Sequence, residues 1–214
     1  MTSTDALILD LSTDLAPVKR RRTSREALVL ASVGLMELAL ILGAGGMRPD
    51  MGRVITSPFM IWKIGSLAVL AGVTCAIALR SFAPPGTRRR ALRMAATIIA
   101  PVAIAGVFVT PAADAGRSLI ERLSPVHGLL CATSVIVLAT PMVAALGILM
   151  RRAAPVRPAE SAFASGLAAA SCGALVFTIC CPMNDPLYIM VWYSLAVAAV
   201  AFVARWLLPR NLRL

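Results

Sequence analysis

The sequence contains no Cys-x-x-Cys pair, and apart from its first 25 residues it has little chain outside its apolar segments. Zinc ribbons and thioredoxin-like redox centres need paired cysteines at that spacing, so neither is supported. The connectors between the apolar segments are too short to enclose a core of their own. Catalysis in a separate soluble domain is therefore excluded, and we expect a protein that is not an enzyme and acts through its helices, their rims or its N-terminal tail.

Apolar residues dominate what is present, since 59% of the chain is hydrophobic and its mean hydropathy is +0.83. A helix of about 20 apolar residues crosses a hydrocarbon core of about 30 Å. Several segments have that length, and the sequence therefore predicts an all-α fold, a six-transmembrane-helix bundle preceded by a short cytoplasmic N-terminal amphipathic helix. The predicted parts are a tail (1–25), a membrane domain (26–208) with spans at 27–46, 59–79, 94–110, 126–149, 162–181 and 187–204, and a cytoplasmic C-terminal tail (209–214).

Basic residues are distributed unevenly between the two sides of the predicted bundle. With the N-terminus placed inside, sixteen of the 21 lysines and arginines lie on the cytoplasmic side and four lie outside. This asymmetry follows the positive-inside rule and predicts a multi-pass protein of the bacterial inner (cytoplasmic) membrane with both termini in the cytoplasm. The arginines stand at helix ends with no nucleic-acid recognition module beside them, so their expected partner is the anionic lipid bilayer and not nucleic acid.

The N-terminal tail carries the pattern of a short amphipathic helix. Leu7, Leu11 and Leu15 recur at four-residue spacing after Asp5, which can cap the helix, and Pro17 is expected to end it. A helix of about 12 residues is marginal alone in water. Two interpretations stay open: the tail folds in the groove of a protein partner, or it packs on the membrane surface or the bundle.

Three of the five cysteines fall at the outer ends of predicted spans. Cys131 lies near the outer end of the fourth span, and Cys180 and Cys181 close the outer end of the fifth. In a bacterial envelope that side is oxidising, so these thiols are candidates for a disulfide or for capture of a soft metal ion. Cys75 and Cys172 lie deeper in their spans and are interpreted as small packing residues.

The single histidine, His127, stands one helical turn before Cys131. His127, Cys131 and Cys181, with Asp185 as a further ligand, could form a soft-metal site. The alternative is that His127 caps a helix while the cysteines only pack. No resident cofactor is expected in either case, and metal binding would be transient.

Two charged residues, Glu37 and Lys63, fall inside predicted spans. Such charges are costly in hydrocarbon and usually face a partner or a cavity. Glu37 lies near mid-membrane and is interpreted as a conformational lock or a protonatable group, whereas Lys63 is close enough to the outer surface to snorkel. These charges, and the Pro and Gly within the spans, support the alternative of a small multi-span transporter or channel, although no pair of inverted repeats is visible.

Three motifs carry a resemblance to a known family. The tail reads LSTDLAPVKRRR, the first connector reads RPDMGRVITSPFMIWKIG, and the junction of the last two spans reads CCPMNDPLYIMVWY. In this order and spacing, and over nearly the whole chain, the sequence resembles the NrsF-type (negative regulator of sigma F) membrane anti-sigma factors.

The resemblance implies that the chain sequesters an extracytoplasmic-function sigma factor at the cytoplasmic face and releases it under oxidant or heavy-metal stress. The two characteristic cysteines of the family match Cys131 and Cys181. Relatives often have another residue where this chain has Cys180, which leaves open which of the adjacent thiols reacts. The sigma-binding role maps onto the tail, where the matching residues are Leu7, Leu11, Asp14, Leu15, Pro17 and Val18.

Overall fold

The computed structural model describes residues 4, 8, 12, 22–82 and 119–210, and within these residues the chain is helical with no strand. In sequence, three of its helices lie before residue 82 and four lie after residue 118. In chain order they are α1 (Thr23–Gly43), α2 (Met51–Val54), α3 (Pro58–Ser81), α4 (Leu119–Leu123), α5 (Pro125–Ala153), α6 (Pro158–Phe177) and α7 (Pro186–Arg210).

Five of these helices are long and apolar enough to cross a membrane: α1, α3, α5, α6 and α7. They confirm five of the six predicted segments as helices of that kind. The predicted span 94–110 lies outside the described residues, as do the tail residues Leu7, Leu11, Asp14, Leu15, Pro17 and Val18. Of the tail, Thr4, Ile8 and Ser12 are described, and all three are helical and exposed.

The helix boundaries follow from local chemistry. Proline has no N–H to leave unpaired and its fixed φ suits a first helical turn, and a proline begins each long helix after α1: Pro58, Pro125, Pro158 and Pro186. At the start of α3, the Ser57 side chain also accepts a hydrogen bond from the N–H of Met60 at 3.2 Å.

The predicted fifth span, 162–181, ran too far at its C-terminal end. Helix α6 ends at Phe177, and the chain then turns through residues 178–180. Cys181 precedes Pro182, and the residue before a proline avoids the helical region. Cys180 and Cys181 therefore lie in the α6–α7 connector and not within a span.

Helix α6 is the central element of the bundle and packs against α3, α5 and α7. Its small residues let neighbouring backbones approach closely, as is common where helices meet in membranes. A Cβ added at Gly166 would lie 2.7 Å from the Cα of Ala201 in α7, and one added at Gly173 would lie 2.9 Å from the backbone nitrogen of Ala139 in α5. This packing fixes the position of the connector that follows α6.

Candidate functional site

Three chain segments converge at one end of the bundle: the α1–α3 connector, the short helix α4, and the α6–α7 connector (residues 178–185). The last of these begins with a tight turn in which the N–H groups of Cys180 and Cys181 both donate to the carbonyl of Phe177, at 2.9 and 3.0 Å. That turn directs the Cys181 side chain back into the bundle, where it is completely buried.

Cys181 meets Cys131 of α5 there, with 4.0 Å between the two Sγ atoms. Cys131 is also buried, and the hydroxyl of Tyr188 in the first turn of α7 donates to its sulfur at 3.2 Å. We call Cys131 and Cys181 the loop-end thiol pair. The two sulfurs are not bonded, and a shift of about 2 Å would bring them to the bonding distance of a disulfide.

Lys63 lies beneath the same connector and does not snorkel as the sequence suggested. It is 0% exposed, and its Nζ donates to the carbonyls of Met183 at 3.1 Å and Cys181 at 3.5 Å. These connector carbonyls replace the water that a snorkelling ammonium would seek, which explains why the side chain stays inside. The connector therefore folds around a buried cation.

Arg48 is a second buried cation at this end and was not singled out from the sequence. Its guanidinium donates to both carboxylate oxygens of Asp50 at 2.6 Å, to Asn184 Oδ1 at 3.0 Å and to the Cys181 carbonyl at 3.3 Å. The backbone N–H of Arg48 donates to the carbonyl of Ile179 at 3.3 Å. The α1–α3 connector is thus tied directly to the segment that carries the buried thiol.

An ion pair holds α4 against the start of α7. Arg122 donates to both carboxylate oxygens of Asp185, at 2.8 and 2.9 Å, and Asp185 Oδ1 also accepts from the N–H of Leu187 at 2.9 Å. Burial acts to raise the pKa of Asp185, but the bonds from Arg122 and from the start of α7 together hold that pKa below its usual value. Asp185 is thus engaged in an ion pair and a helix cap.

The electrostatics of the connector distinguish its two adjacent thiols. The hydrogen bond from the Cys131 thiol lowers the pKa of Cys181, burial opposes that effect, and the nearby charge of Lys63 lowers the pKa further, so the net direction is down. Burial raises the pKa of Cys180, whose sulfur lies beside Gly46. Of the two adjacent thiols, Cys181 is therefore the one that contacts Cys131 and the one whose pKa is lowered.

The predicted three-residue metal set is not assembled. His127 is exposed, whereas Cys131 and Cys181 are buried. Four residues of helix turn about 400°, so side chains at this spacing diverge by about 40°, and only that of Cys131 faces the interior. Across residues 22–82 and 119–210, no three His, Cys, Asp or Glu side chains come together as metal ligands.

Glu37 and a second cysteine pair lie deeper in the bundle. Glu37 is 5% exposed, and in the described part of the chain neither of its carboxylate oxygens has a hydrogen-bond partner. The other charge within the spans, Lys63, is therefore not bonded to Glu37. Cys75 of α3 and Cys172 of α6, interpreted from the sequence as packing residues, lie with their sulfurs 3.6 Å apart. We call these two the mid-bundle thiol pair.

Comparison with known proteins gives one consistent family. The family model described as "Negative regulator of sigma F" (NrsF) matches residues 11–214. The anti-sigma-F factor NrsF of Caulobacter vibrioides (strain NA1000 / CB15N) is 30% identical over 204 residues, which cover 94% of this chain and 93% of the relative. No solved structure matches the chain. The resemblance inferred from the three motifs is confirmed, and the chain belongs to the NrsF family of negative regulators of sigma F.

Proposed function

We propose that this protein is a multi-pass inner-membrane anti-sigma factor whose cytoplasmic tail sequesters an extracytoplasmic-function sigma factor and releases it when the loop-end thiol pair reacts. The observation that carries the proposal is the 4.0 Å contact between the buried sulfurs of Cys131 and Cys181. Family membership supports the regulatory role, and a reaction of the two sulfurs is the proposed signal for release.

The membrane assignment is supported by the five apolar helices and by the side chains they leave outside. Leu28, Leu35 and Trp206 are each more than 60% exposed. Large apolar side chains in such numbers are unfavourable in water and favourable against lipid. The excess of arginine on one side favours a cytoplasmic tail and a loop-end thiol pair on the outer side.

The input reaction is oxidation or soft-metal binding. In the first, a hydroperoxide takes two electrons from the two thiols, its O–O bond breaks, a sulfur–sulfur bond forms, and water and an alcohol (or a second water) leave with the protons. In the second, the two thiolates share one soft ion such as Cd²⁺ and release their protons. Either product replaces the Tyr188–Cys131 hydrogen bond and draws the α6–α7 connector towards α5.

The contacts of Arg48 provide a route from that connector to the tail. Arg48 is bonded to the carbonyls of both Ile179 and Cys181, and it follows α1, whose other end adjoins the tail. A displacement of Cys181 therefore acts on α1 through two hydrogen bonds. Moving the sigma factor from mostly bound to mostly free requires about 5 kcal/mol of bias, and a disulfide supplies about 2–4 kcal/mol of it.

Substitution of single thiols tests the input. We expect Cys131→Ser and Cys181→Ser each to abolish induction of sigma-dependent transcription by cadmium or an organic hydroperoxide, while Cys180→Ser, the matched control one residue away, keeps it. An unchanged response in the first two variants would remove the loop-end thiol pair from the mechanism.

Capture of the sigma factor tests the output. A peptide of residues 1–25 should retain an extracytoplasmic-function sigma factor from a lysate of the source cells, and a peptide with Leu7, Leu11 and Leu15 changed to Ser should not. Equal retention by both peptides would contradict the proposed binding mode.

The alternative function, transport, has weaker support, because Lys63, one of the two charges that suggested it, is bound by connector carbonyls.

A further inference from the structure

The mid-bundle thiol pair is held in contact by helix packing above and below it. Towards the loop end, Lys63 of α3 is bonded to the connector that follows α6. Towards the other end, the Ser161 hydroxyl of α6 donates to the carbonyl of Ser81 in α3 at 3.0 Å. The two antiparallel helices are thus fixed in register, and Cys75 and Cys172 lie opposite each other between these two ties.

This pair lies at a different depth from the loop-end thiol pair. Cys75 follows Lys63 by twelve residues, which corresponds to about 18 Å along a helix. Both Cys75 and Cys172 are partly exposed, and in the membrane assignment proposed above, on which this inference rests, the surrounding medium at this depth is the apolar interior of the bilayer. Reagents dissolved in lipid can therefore reach these sulfurs, while water-soluble oxidants meet the loop-end thiol pair first.

We propose that Cys75 and Cys172 form a second redox site, oxidised to a disulfide by lipid-soluble organic hydroperoxides. The sulfur of Cys172 attacks the hydroperoxide; the O–O bond breaks to leave a sulfenic acid, and the thiol proton leaves with the alcohol. The Cys75 thiol then attacks the sulfenic sulfur, which forms the S–S bond and releases water. Two electrons pass from the thiols to the peroxide.

This second site would respond to oxidised lipid within the bilayer, an input distinct from that of the loop-end thiol pair. The Cys75–Cys172 disulfide would link α3 covalently to α6, the central helix of the bundle. The α6–α7 connector follows directly after α6. Formation of the bond does not depend on sigma-factor binding, so it can be measured whatever the outcome for the proposed function.

The test uses the full chain in lipid nanodiscs treated with cumene hydroperoxide, alkylated, digested and mapped by mass spectrometry. We expect a peptide linked through Cys75 and Cys172 in the wild type and in Cys131→Ser, and no such peptide in Cys75→Ser. Wild-type protein in which both residues are still alkylated after Cys131 and Cys181 have become fully linked would overturn the proposal, as would linkage of Cys172 to any other cysteine.

Discussion

The two thiol pairs of this bundle are alike in composition and unlike in surroundings. The loop-end thiol pair lies among the cations Lys63 and Arg48, backbone carbonyls and a phenol, whereas the mid-bundle thiol pair is bordered by apolar side chains. Cations favour the charged thiolate, and apolar surroundings favour the neutral thiol. The environment of each pair therefore decides which reagent reaches it and how its thiols are activated.

The largest effect is expected from separating α5 from α6. Gly173→Val would place side-chain carbon within 3 Å of the α5 backbone at Ala139, at a cost of about 1–3 kcal/mol. It should lower the unfolding temperature and prevent the Cys131–Cys181 bond, while the Cys75–Cys172 bond, which joins α6 to α3, still forms.

Gly72→Ala is the matched control, because a Cβ at Gly72 has no neighbour within 4 Å. It should keep wild-type stability and both linkages. Retention of the loop-end linkage in Gly173→Val would show that α5–α6 packing does not set the distance between those sulfurs.

The next largest effect concerns the cation beneath Cys181. Lys63→Met removes the positive charge that helps to lower the pKa of Cys181, so the pH of half-maximal alkylation of Cys181 should rise. A rise of one unit corresponds to about 1.4 kcal/mol and to about tenfold slower alkylation at a pH below the pKa. The measurement is the alkylation rate of Cys181 as a function of pH.

Lys63→Arg, which keeps the charge, should stay close to wild type. Alkylation of Cys172 should not change in either variant, since Lys63 lies far from it. A shift in the Cys172 profile equal to that of Cys181 would mean that the two pairs share one electrostatic environment, contrary to the comparison.

A smaller effect is expected from the phenol that contacts only one pair. Tyr188→Phe removes a hydrogen bond to the reduced Cys131 thiol, worth about 1 kcal/mol. The reduced state is destabilised, so equilibrium in a glutathione buffer should shift about fivefold towards the Cys131–Cys181 disulfide.

The mid-bundle thiol pair serves as the internal reference in the same sample. Its ratio of disulfide to thiol should stay unchanged in Tyr188→Phe. A parallel shift of both pairs would indicate a general loosening of the bundle and not the loss of one hydrogen bond.

The features that could be predicted from the sequence are those set by local composition. Apolar length identified the five described spans, and the alternation of spans brought Cys131 and Cys181 to the same end of the bundle. The burial of Lys63 could not be predicted, because it depends on carbonyls about 120 residues away in the chain. The Cys75–Cys172 contact likewise follows from the register between α3 and α6, which no periodicity within either helix encodes.

The four-residue spacing of His127 and Cys131 predicted a shared helix face, and the structure separates the two side chains. The angular drift between such positions is small enough to keep two side chains adjacent on an isolated helix. At the edge of a packed face, however, it separates an exposed side chain from a buried one. Cys131 falls on the inner side of that edge and His127 on the outer side, so the sequence alone could not distinguish a ligand from a surface residue.

The smallest effect is expected at the Arg122–Asp185 ion pair, which orders the loop end and lies outside the spans. Because the folded-state pKa of Asp185 is lowered, its charge contributes stability above its usual pKa of about 4, and this contribution is lost as the pH falls through the lowered value. Asp185→Asn should therefore reduce the free energy of unfolding by about 0.5–1 kcal/mol at neutral pH, and the difference from wild type should vanish in acid. Thermal unfolding at neutral and at acidic pH measures the difference in stability between Asp185→Asn and wild type under each condition.

Glu160→Gln, which removes a surface carboxylate at the far end of α6, is the control, and we expect its stability to change little at either pH. A deficit in Asp185→Asn that persists in acid would contradict this prediction, because it would show that the stabilising role of Asp185 does not depend on its charge.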